Sequence, residues 1–365
     1  MGSTPTVAVD ARMIDASGVG TYLKQLLPRL ALRGPDIDFV LLARPELVRD
    51  RGWEKMANVR IVECDAPLYS IREQFALSAA TPRGTDLFWS PHYVIPLLRR
   101  GPLLVTVHDV CHLALSRMLP GPAARLYART MFQMVRRRAD AIIMDSEFTR
   151  REFLRLVGTP RAQPEVIHIG VDASWSAAAA RERPSPDRPY FIHVGNIKPH
   201  KNLRTLLEAF AQVEDELDED LLLVGRRDGL IVGDPEATAL AASMADRVRF
   251  TGVLEDEELQ SLVAGATALV FPSLYEGFGL PPLEAMAAGC PTIVADAASM
   301  PEVCGDAVRY FDPHDAAALA REMRAVASEP PSRERREHAR RHAEGFNWDR
   351  AAERTDRVIR ATLGI

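Results

Sequence analysis

The sequence lacks most features of secreted, membrane-spanning and zinc-binding proteins. It has four cysteines in 365 residues, and none of them have the C-x-x-C spacing of a metal or redox site. Free thiols of this kind are typical of a reducing compartment. No apolar run approaches the ~18 residues of a membrane-spanning helix. The first residues, MGSTPTVAVD, have neither the basic nor the apolar region of a secretory signal, so we expect a cytoplasmic protein.

Charge is divided unevenly between the two halves of the chain. Residues 1–170 hold 23 basic and 17 acidic residues, whereas residues 171–365 hold 22 and 33. The length is about twice that of a typical domain, and 47% hydrophobic and 26% charged residues are close to the globular average. These observations predict two folded domains with different partners.

Short apolar segments alternate with amphipathic ones in both halves. Strands that are apolar throughout and separated by helices predict parallel sheets covered on both faces, in the doubly wound α/β arrangement. The strands predicted in the first half are 7–9, 39–42, 59–63, 87–90, 103–108, 141–145 and 166–169. Those predicted in the second half are 190–194, 221–225, 248–251, 268–271, 292–295 and 308–311.

Residues 172–189 interrupt this alternation. They are rich in Ala, Ser, Pro and charge, which predicts a linker. The predicted domains are then residues 1–171 and 190–346, and we expect the helical segment 347–365 to pack back on the first domain. Ligands of such sheets bind at the carboxyl ends of the strands, so we expect a site in a cleft between facing domains.

The most informative segment is FPSLYEGFGLPPLEAMAAGC, residues 271–290, which follows a predicted strand and precedes a predicted helix. Gly277 and Gly279 allow the backbone to approach a ligand closely. The first N–H groups of the helix can hold a phosphate. Glu276 in the loop and Glu284 in the helix can bind different hydroxyl groups of one extended ligand. For a single glutamate in a first helical turn, stabilisation by the helix dipole is the alternative explanation.

This segment resembles the signature of the retaining nucleotide-sugar glycosyltransferases of family 4. These enzymes have the GT-B fold, in which two doubly wound, Rossmann-like domains face an interdomain cleft. The resemblance covers nearly the whole chain. It includes residues 194–203 (VGNIKPHKNL) in the second domain. In the first domain, residues 18–22 (GVGTY), 90–97 and 106–109 (TVHD) are similar to those of bacterial mannosyltransferases of polysaccharide and O-antigen assembly.

The resemblance implies roles for individual residues. The catalytic residues would be His108 beside the reacting sugar, Glu276 on the donor-sugar hydroxyls and Lys201 on the pyrophosphate. Glu284 would bind the ribose, and the backbone of residues 278–280 would bind the distal phosphate. The full implied donor-binding set is Gly18, Gly20, Gly195, Asn196, Lys201, Val253, Glu276, Gly277, Phe278, Gly279, Leu280 and Glu284. For His108, a purely structural role at the end of a strand is the alternative.

The implied substrates are a nucleotide sugar, with GDP-mannose as the first expectation and a UDP-sugar as the alternative, and a saccharide acceptor carried on a lipid. No cofactor and no metal are expected. The D-x-D sequences of residues 36–38 and 218–220 lie in polar connections or helix ends, where solvated acids are the simpler interpretation. The sequence departs from the family at Asn196, where many members have an arginine that binds phosphate, and at His200, before Lys201.

A basic segment, residues 99–138, contains eight arginines and a single acid, Asp109. A solvated, arginine-rich helix face is one explanation. The other is a surface that faces anionic lipid or a phosphorylated acceptor, which would place the enzyme at the inner face of the membrane. Nucleic acid is not expected as a partner, because no nucleic-acid-binding motif accompanies the segment.

Three other function classes fit the sequence less well. A nicotinamide oxidoreductase requires G-x-G-x-x-G, but the chain has leucine at position 23. A phosphorylase of the same fold needs a lysine-bound pyridoxal phosphate and a longer chain. A non-catalytic subunit would not need Glu276, Glu284 and Lys201 together. The sequence leaves a nucleotide-sugar epimerase of the same fold as an open alternative.

Overall fold

The computed structural model describes residues 4–49, 51–116, 121–178, 188–196, 198–225 and 235–365. The chain forms two compact units. Unit 1 consists of Met1–Gly170 and Trp348–Ile365, and unit 2 of Val171–Asn347. No helix within the described ranges is both long enough and apolar enough to cross a membrane.

Unit 1 contains a parallel sheet of seven strands in the order β3-β2-β1-β4-β5-β6-β7. The strands are β1 Thr6–Asp10, β2 Asp38–Ala43, β3 Val59–Glu63, β4 Leu87–Ser90, β5 Leu103–Val107, β6 Ala141–Met144 and β7 Pro164–Val166. Strand β1, in the interior of the sheet, pairs Val7 with Phe39 on one side and Val9 with Trp89 on the other. These four side chains are buried. Burial on both faces explains why the strands are apolar without alternation.

The helices of unit 1 cover this sheet. They are α1 Val19–Arg33, α2 Pro45–Arg49, α3 Ile71–Ala80, α4 Cys111–Ala114, α5 Gly121–Arg138, α6 Glu147–Leu156 and α15 Trp348–Leu363. Helix α3 begins with a capping box, in which Ser70 and Glu73 bond to each other's backbone N–H groups. Helix α15 packs on α1 and buries Trp348 and Ile359.

Unit 2 has a parallel sheet of six strands in the order β10-β9-β8-β11-β12-β13. The strands are β8 Tyr190–Val194, β9 Asp220–Val224, β10 Val248–Gly252, β11 Ala268–Phe271, β12 Thr292–Ala295 and β13 Arg309–Phe311. The helices are α7 Ala173–Ala178, α8 Leu203–Ala211, α9 Pro235–Ser243, α10 Asp256–Gly265, α11 Leu280–Ala287, α12 Met300–Cys304, α13 Ala316–Ser328 and α14 Arg333–Glu344. Helices α8 and α13 contribute Leu206, Phe210 and Leu319 to a core with the strands.

The segment predicted as a linker, residues 172–189, begins with helix α7. Trp175 and Ala178 of this helix are buried, and the helix packs on α10 and α11 of unit 2. The first part of the segment is therefore a folded element of unit 2. Residues 179–187 lie outside the described residues.

Candidate active site

Lys201 and Glu276, which the sequence places 75 positions apart, form an ion pair in unit 2. The Lys201 Nζ atom lies 2.6 Å from Oε1 of Glu276, and the two side chains are 14% and 15% exposed. Lys201 ends a short 3₁₀ turn after β8, while Glu276 lies in the loop after β11. These strands are neighbours in the sheet, so their carboxyl ends bring the two residues together. The ammonium group also lies 5.1 Å from the centroid of the Phe271 ring.

The ion pair with Lys201 lowers the pKa of Glu276. Burial alone would raise the pKa, but the charge and hydrogen bond of Lys201, with a further contribution from His200, hold it below its ordinary value. Glu276 is therefore a carboxylate at neutral pH. Its oxygens can accept hydrogen bonds from hydroxyl groups.

The loop that carries Glu276 is held by Ser299, a residue that sequence reasoning missed. The buried Ser299 hydroxyl lies 3.0 Å from the carbonyl oxygen of Glu276 and 2.9 Å from that of Phe278. Ser299 stands at the N-cap position of α12, yet its hydroxyl makes no cap bond there. From the sequence, a serine before a helix suggests a cap, and only the structure shows that it binds a distant loop instead.

The start of helix α11 depends on Gly279. This residue precedes the helix with a φ of 100°, and a Cβ atom added to it would lie 2.2 Å from Cε of the buried Met300. Only glycine suits both the conformation and the space. The predicted phosphate-binding backbone, Phe278 to Leu280, thus lies at the N-terminal end of an α-helix, where the helix dipole and the first N–H groups favour anions.

Glu284 lies within helix α11. Burial, followed by the negative charges of Asp256 and Asp172, raises its pKa to about 8. Near neutral pH the carboxyl group is therefore largely protonated, and it can both donate and accept a hydrogen bond. That property suits a contact with a hydroxyl group.

The remaining predicted donor-binding residues of unit 2 also lie at the carboxyl edge of its sheet. Gly195 and Asn196 follow β8, and Val253 follows β10 with its side chain exposed. The Gly195 N–H donates to the carbonyl oxygen of Val224 at 2.9 Å. The sequence-predicted residues of unit 2 thus share one edge of the sheet.

In unit 1, His108 is held through both ring nitrogens. Nδ1 lies 2.6 Å from Oδ2 of Asp145, and Nε2 lies 2.9 Å from the carbonyl oxygen of Pro91. Both partners are acceptors, so the arrangement fits an imidazolium ring that donates twice. Burial lowers the pKa of His108, but the charge and hydrogen bond of Asp145 more than offset this and raise it above its ordinary value. Sequence reasoning missed Asp145, although an acid directly after β6, next to β5, was the available signal.

Gly18 and Gly20 lie at the start of α1. Gly18 is the N-cap residue, and Gly20 belongs to the first turn. A Cβ atom on Gly20 would lie 2.5 Å from the carbonyl oxygen of Ile14, so the helix can approach the preceding loop only with glycine there. The structure gives Gly20 a packing role, and the expected contacts of both glycines with a diphosphate stay predictions.

A second polar cluster of unit 1, also absent from the sequence predictions, lies between the end of β1 and helix α3. The guanidinium of the buried Arg12 lies 2.7 Å from Asp10 and 3.0 Å from Glu73. An aromatic group adjoins it. In this group, Tyr69 lies 6.0 Å from the ring of Tyr93, whose hydroxyl is 2.6 Å from Nδ1 of His112.

One acid of each D-x-D sequence forms ion pairs with arginines. Asp36 binds Arg360 through both oxygens at 2.8 Å. Asp220 is buried between arginine side chains at 2.8 to 3.5 Å, which belong to Arg188, Arg247 and Arg249. Within the part of the chain that the structure describes, no group of three or more His, Cys, Asp or Glu side chains could hold a metal ion. Asp36 and Asp220 are therefore ion-paired and not simply solvated as predicted, whereas Asp38 and Asp218 are exposed, as expected of solvated acids.

Comparison with known proteins supplies the family. Residues 16–175 match the family model described as Glycosyltransferase Family 4, and residues 177–344 match that of Glycosyl transferases group 1. The D-inositol 3-phosphate glycosyltransferase of Streptomyces scabiei (strain 87.22) is 30% identical over 96% of this chain and 87% of its own length. The chain belongs to glycosyltransferase family 4.

Other similarities agree with this assignment. The O-antigen chain mannosyltransferase B of Escherichia coli is 28% identical over 64% of this chain, and the match spans 63% of that protein. The crystal structure of Anabaena HepE in complex with UDP-glucose is similar with a TM-score of 0.77 and 17% identity, over 98% of this chain and 99% of that one. The predicted GT-B fold of two Rossmann-like domains is confirmed.

Proposed function

We propose that this family 4 protein is a retaining, metal-independent glycosyltransferase that moves mannose from GDP-mannose to a saccharide acceptor. The observation that carries the proposal is the Lys201–Glu276 pair beside the N-terminus of α11. A glycosyl transition state places positive charge on the sugar and negative charge on the leaving diphosphate. A lysine cation and helix N–H groups stabilise the diphosphate, while a carboxylate holds the sugar hydroxyls.

The arginine contacts of the D-x-D acids support a mechanism without a metal. Asp220 already has three cationic partners, and Asp36 is bound on both oxygens. Neutralisation of the diphosphate then rests on Lys201 and on the backbone N–H groups at Gly279 and Leu280. No cofactor takes part in this proposal.

Mannose is proposed as the transferred sugar because of the similarity to an O-antigen mannosyltransferase. Anabaena HepE, which has a similar fold, was crystallised in complex with UDP-glucose. A UDP-sugar is therefore the alternative donor. Both donors present a diphosphate and a ribose, which Lys201 and Glu284 would bind in the same way.

The proposed acceptor is a saccharide, for which the exposed Tyr69 and its aromatic neighbours Tyr93 and His112 offer ring faces. Aromatic faces pack well against the C–H groups of sugar rings. Asp10 and Glu73 lie in the adjoining cluster, but both are already bound to Arg12.

We propose further that the acceptor is lipid-linked and that unit 1 associates with the cytoplasmic face of the membrane. Four exposed apolar side chains support this, with exposures between 58% and 75%: Ile71, Phe75, Leu98 and Leu126. Gln74 hydrogen-bonds to the N–H of Leu97 and to the hydroxyl of Tyr127, so the segments that carry these side chains adjoin. Helix α5 adds exposed arginines beside them, a combination typical of interfacial binding.

The proposal is tested by nucleotide release and product analysis. The purified protein is incubated with a saccharide acceptor panel and, in parallel, with GDP-mannose, UDP-glucose, UDP-galactose and ADP-glucose. We expect GDP release from GDP-mannose and a product whose anomeric configuration by NMR equals that of the donor. Release of UDP alone would select the alternative donor, and an inverted product would contradict the retaining mechanism.

A further inference from the structure

His193, on strand β8, has one ring nitrogen bound and the other left without a partner. The ring is buried, and Nδ1 lies 3.0 Å from the carbonyl oxygen of Val270. A carbonyl oxygen only accepts, so Nδ1 carries the hydrogen, and Nε2 of the neutral ring presents a lone pair. Among the described residues, Nε2 is buried and has no hydrogen-bond partner. Such an atom is rare in a folded protein and calls for an explanation.

The unpartnered nitrogen is directed at the loop of Lys201. A Cβ atom placed on Gly195 would lie 3.5 Å from His193 Nε2 and 3.7 Å from Lys201 Cε. The side chains of His193 and Lys201 therefore both lie beside Gly195, which has no side chain of its own. Both side chains also contact the Phe271 ring. The centroid of this ring lies 6.1 Å from that of the His193 ring, with the two rings stacked, and 5.1 Å from the Lys201 Nζ atom.

In the structure, His193 is neutral. Burial, with a smaller contribution from the positive charge of Lys201, lowers its pKa to about 4, although the Val270 bond and the Glu276 charge act in the opposite direction. His200 is the other titratable group at this loop, and its charge acts on Glu276. A ligand that brings negative charge to Lys201 would offset the Lys201 charge and would stabilise a protonated ring against the cost of burial. Both effects would raise the pKa of His193.

We propose that His193 takes up a proton when a nucleoside diphosphate binds, and that its Nε2–H then donates to a phosphate oxygen. This inference rests on the proposed function, because it assumes that the diphosphate lies against Lys201. Phosphate oxygens at neutral pH offer only lone pairs, so contact with Nε2 requires a proton, which is taken from solvent. The nearby negative charge supplies the driving force. The Nδ1 bond to Val270 persists in both protonation states.

The sign of the pH effect follows from linkage. Because the complex holds His193 with a higher pKa than the free protein, diphosphate affinity rises as the pH falls from the pKa in the complex towards the pKa of the free protein. The rise is up to about tenfold per pH unit. A neutral His193 that accepts a hydrogen bond from a sugar hydroxyl would show no such dependence.

The test is calorimetric titration of GDP at pH 6.5 in two buffers with different ionisation enthalpies. It compares the wild type, His193→Phe and His338→Gln, which is the control because His338 lies on helix α14 and pairs with the exposed Asp306. The phenyl ring keeps the stacking on Phe271 and removes Nε2. Titration of the nucleotide itself, of His200 and of Glu284 is common to all three proteins and cancels in the differences. We expect the wild type and His338→Gln to take up more protons than His193→Phe, by up to about one per nucleotide, with a smaller difference for GMP.

A second measurement does not depend on a variant. The ¹⁵N spectrum of His193 in the wild type should change from the Nδ1–H tautomer to the imidazolium on addition of GDP. Equal proton uptake in the wild type and in His193→Phe, or a ring that stays neutral in the complex, would overturn the inference while GDP binding itself persists. Absence of any GDP or UDP binding to the wild type would instead refute the proposed function.

Discussion

The imidazole ring of His108 lies between the carboxylate of Asp145, 2.6 Å from Nδ1, and the carbonyl oxygen of Pro91, 2.9 Å from Nε2. Because both partners accept, the carboxylate stabilises the charged ring and fixes its orientation. A role of His108 in the reaction would then depend on Asp145, which holds the ring in position and keeps it protonated.

Asp145→Asn should lower the pKa of His108. The raised pKa of the folded state means that its stabilisation is complete below the ordinary histidine pKa, near 6.5, and is lost as the pH rises through the folded-state value. We expect the variant to lose about 1.5–3 kcal/mol in the free energy of unfolding at pH 6, and less at higher pH. Urea denaturation across this pH range measures it. Glu152→Gln, on the helix α6 that follows Asp145, is the control, and parallel profiles for Asp145→Asn and wild type would contradict the pairing.

Lys201→Met should destabilise unit 2, because Glu276 is left largely buried without its cation. The expected loss is about 3 kcal/mol near pH 7. The lowered pKa of Glu276 contributes stability above the unfolded pKa, near 4.3, and this contribution is lost as the pH falls through the folded-state value. The defect should therefore shrink in acid.

The double variant Lys201→Met/Glu276→Gln separates stability from transfer. It should recover much of the free energy of unfolding while transfer stays lost. Glu276→Gln alone should lower turnover by about 10²–10³-fold. Near wild-type turnover in a folded Glu276→Gln protein would refute the assigned role of this residue.

Ser299→Ala should loosen the loop of Glu276, since two buried carbonyl groups lose their shared donor. We expect a loss of about 1–3 kcal/mol in stability and a higher KM for the donor, with the KM for the acceptor unchanged. Ser328→Ala is a suitable control, because that exposed hydroxyl bonds within its own helix. A donor KM equal to the wild-type value would show that the loop needs no such support.

Turnover should survive EDTA, because arginines bind Asp36 and Asp220, one acid of each D-x-D sequence. The measurement is the initial rate of nucleotide release before and after chelation, with manganese and magnesium added back. A rate that falls with EDTA and recovers with either ion would contradict metal independence.

Salt-sensitive binding to phosphatidylglycerol vesicles is expected through helix α5. Arg136 and Arg138 are unsuitable test positions, since they donate to the backbone carbonyls of Thr159, Leu97 and Arg99. Residues 117–120 of the basic segment lie outside the described residues. The informative variant is Arg129→Ser/Arg137→Ser, which removes two exposed charges.

Each arginine near an anionic surface contributes about 1 kcal/mol, so the double variant should bind roughly thirtyfold more weakly. Arg333→Ser/Arg336→Ser in unit 2 is the matched control. A wild type that stays in the supernatant at low salt, or equal sedimentation of all three proteins, would leave the solvated helix face as the explanation.

The sequence predicted the sheets well, since strands buried on both faces are apolar throughout and easy to recognise. Even there, the strand predicted at 166–169 lies at Pro164–Val166. The partners of the site residues were harder to predict. Asp145 meets His108 because β5 and β6 are neighbours, and Ser299 meets the Glu276 loop across 23 positions. Periodicity predicts the helices and strands. Contacts between side chains depend on which strands are neighbours in the sheet, and no local sequence pattern contains that information.

Helix α15 has a consequence for the order of folding during synthesis. It is translated after the whole of unit 2, yet it covers α1 and buries Trp348 and Ile359 in unit 1. At ribosomal rates of about 5–20 residues per second, unit 1 waits roughly ten seconds or more for this helix while residues 171–347 emerge. During that interval the part of α1 that α15 covers has no partner in its own unit. Unit 2, whose residues are contiguous in the chain, can complete its core first, so the unit that is made first is the one that finishes last.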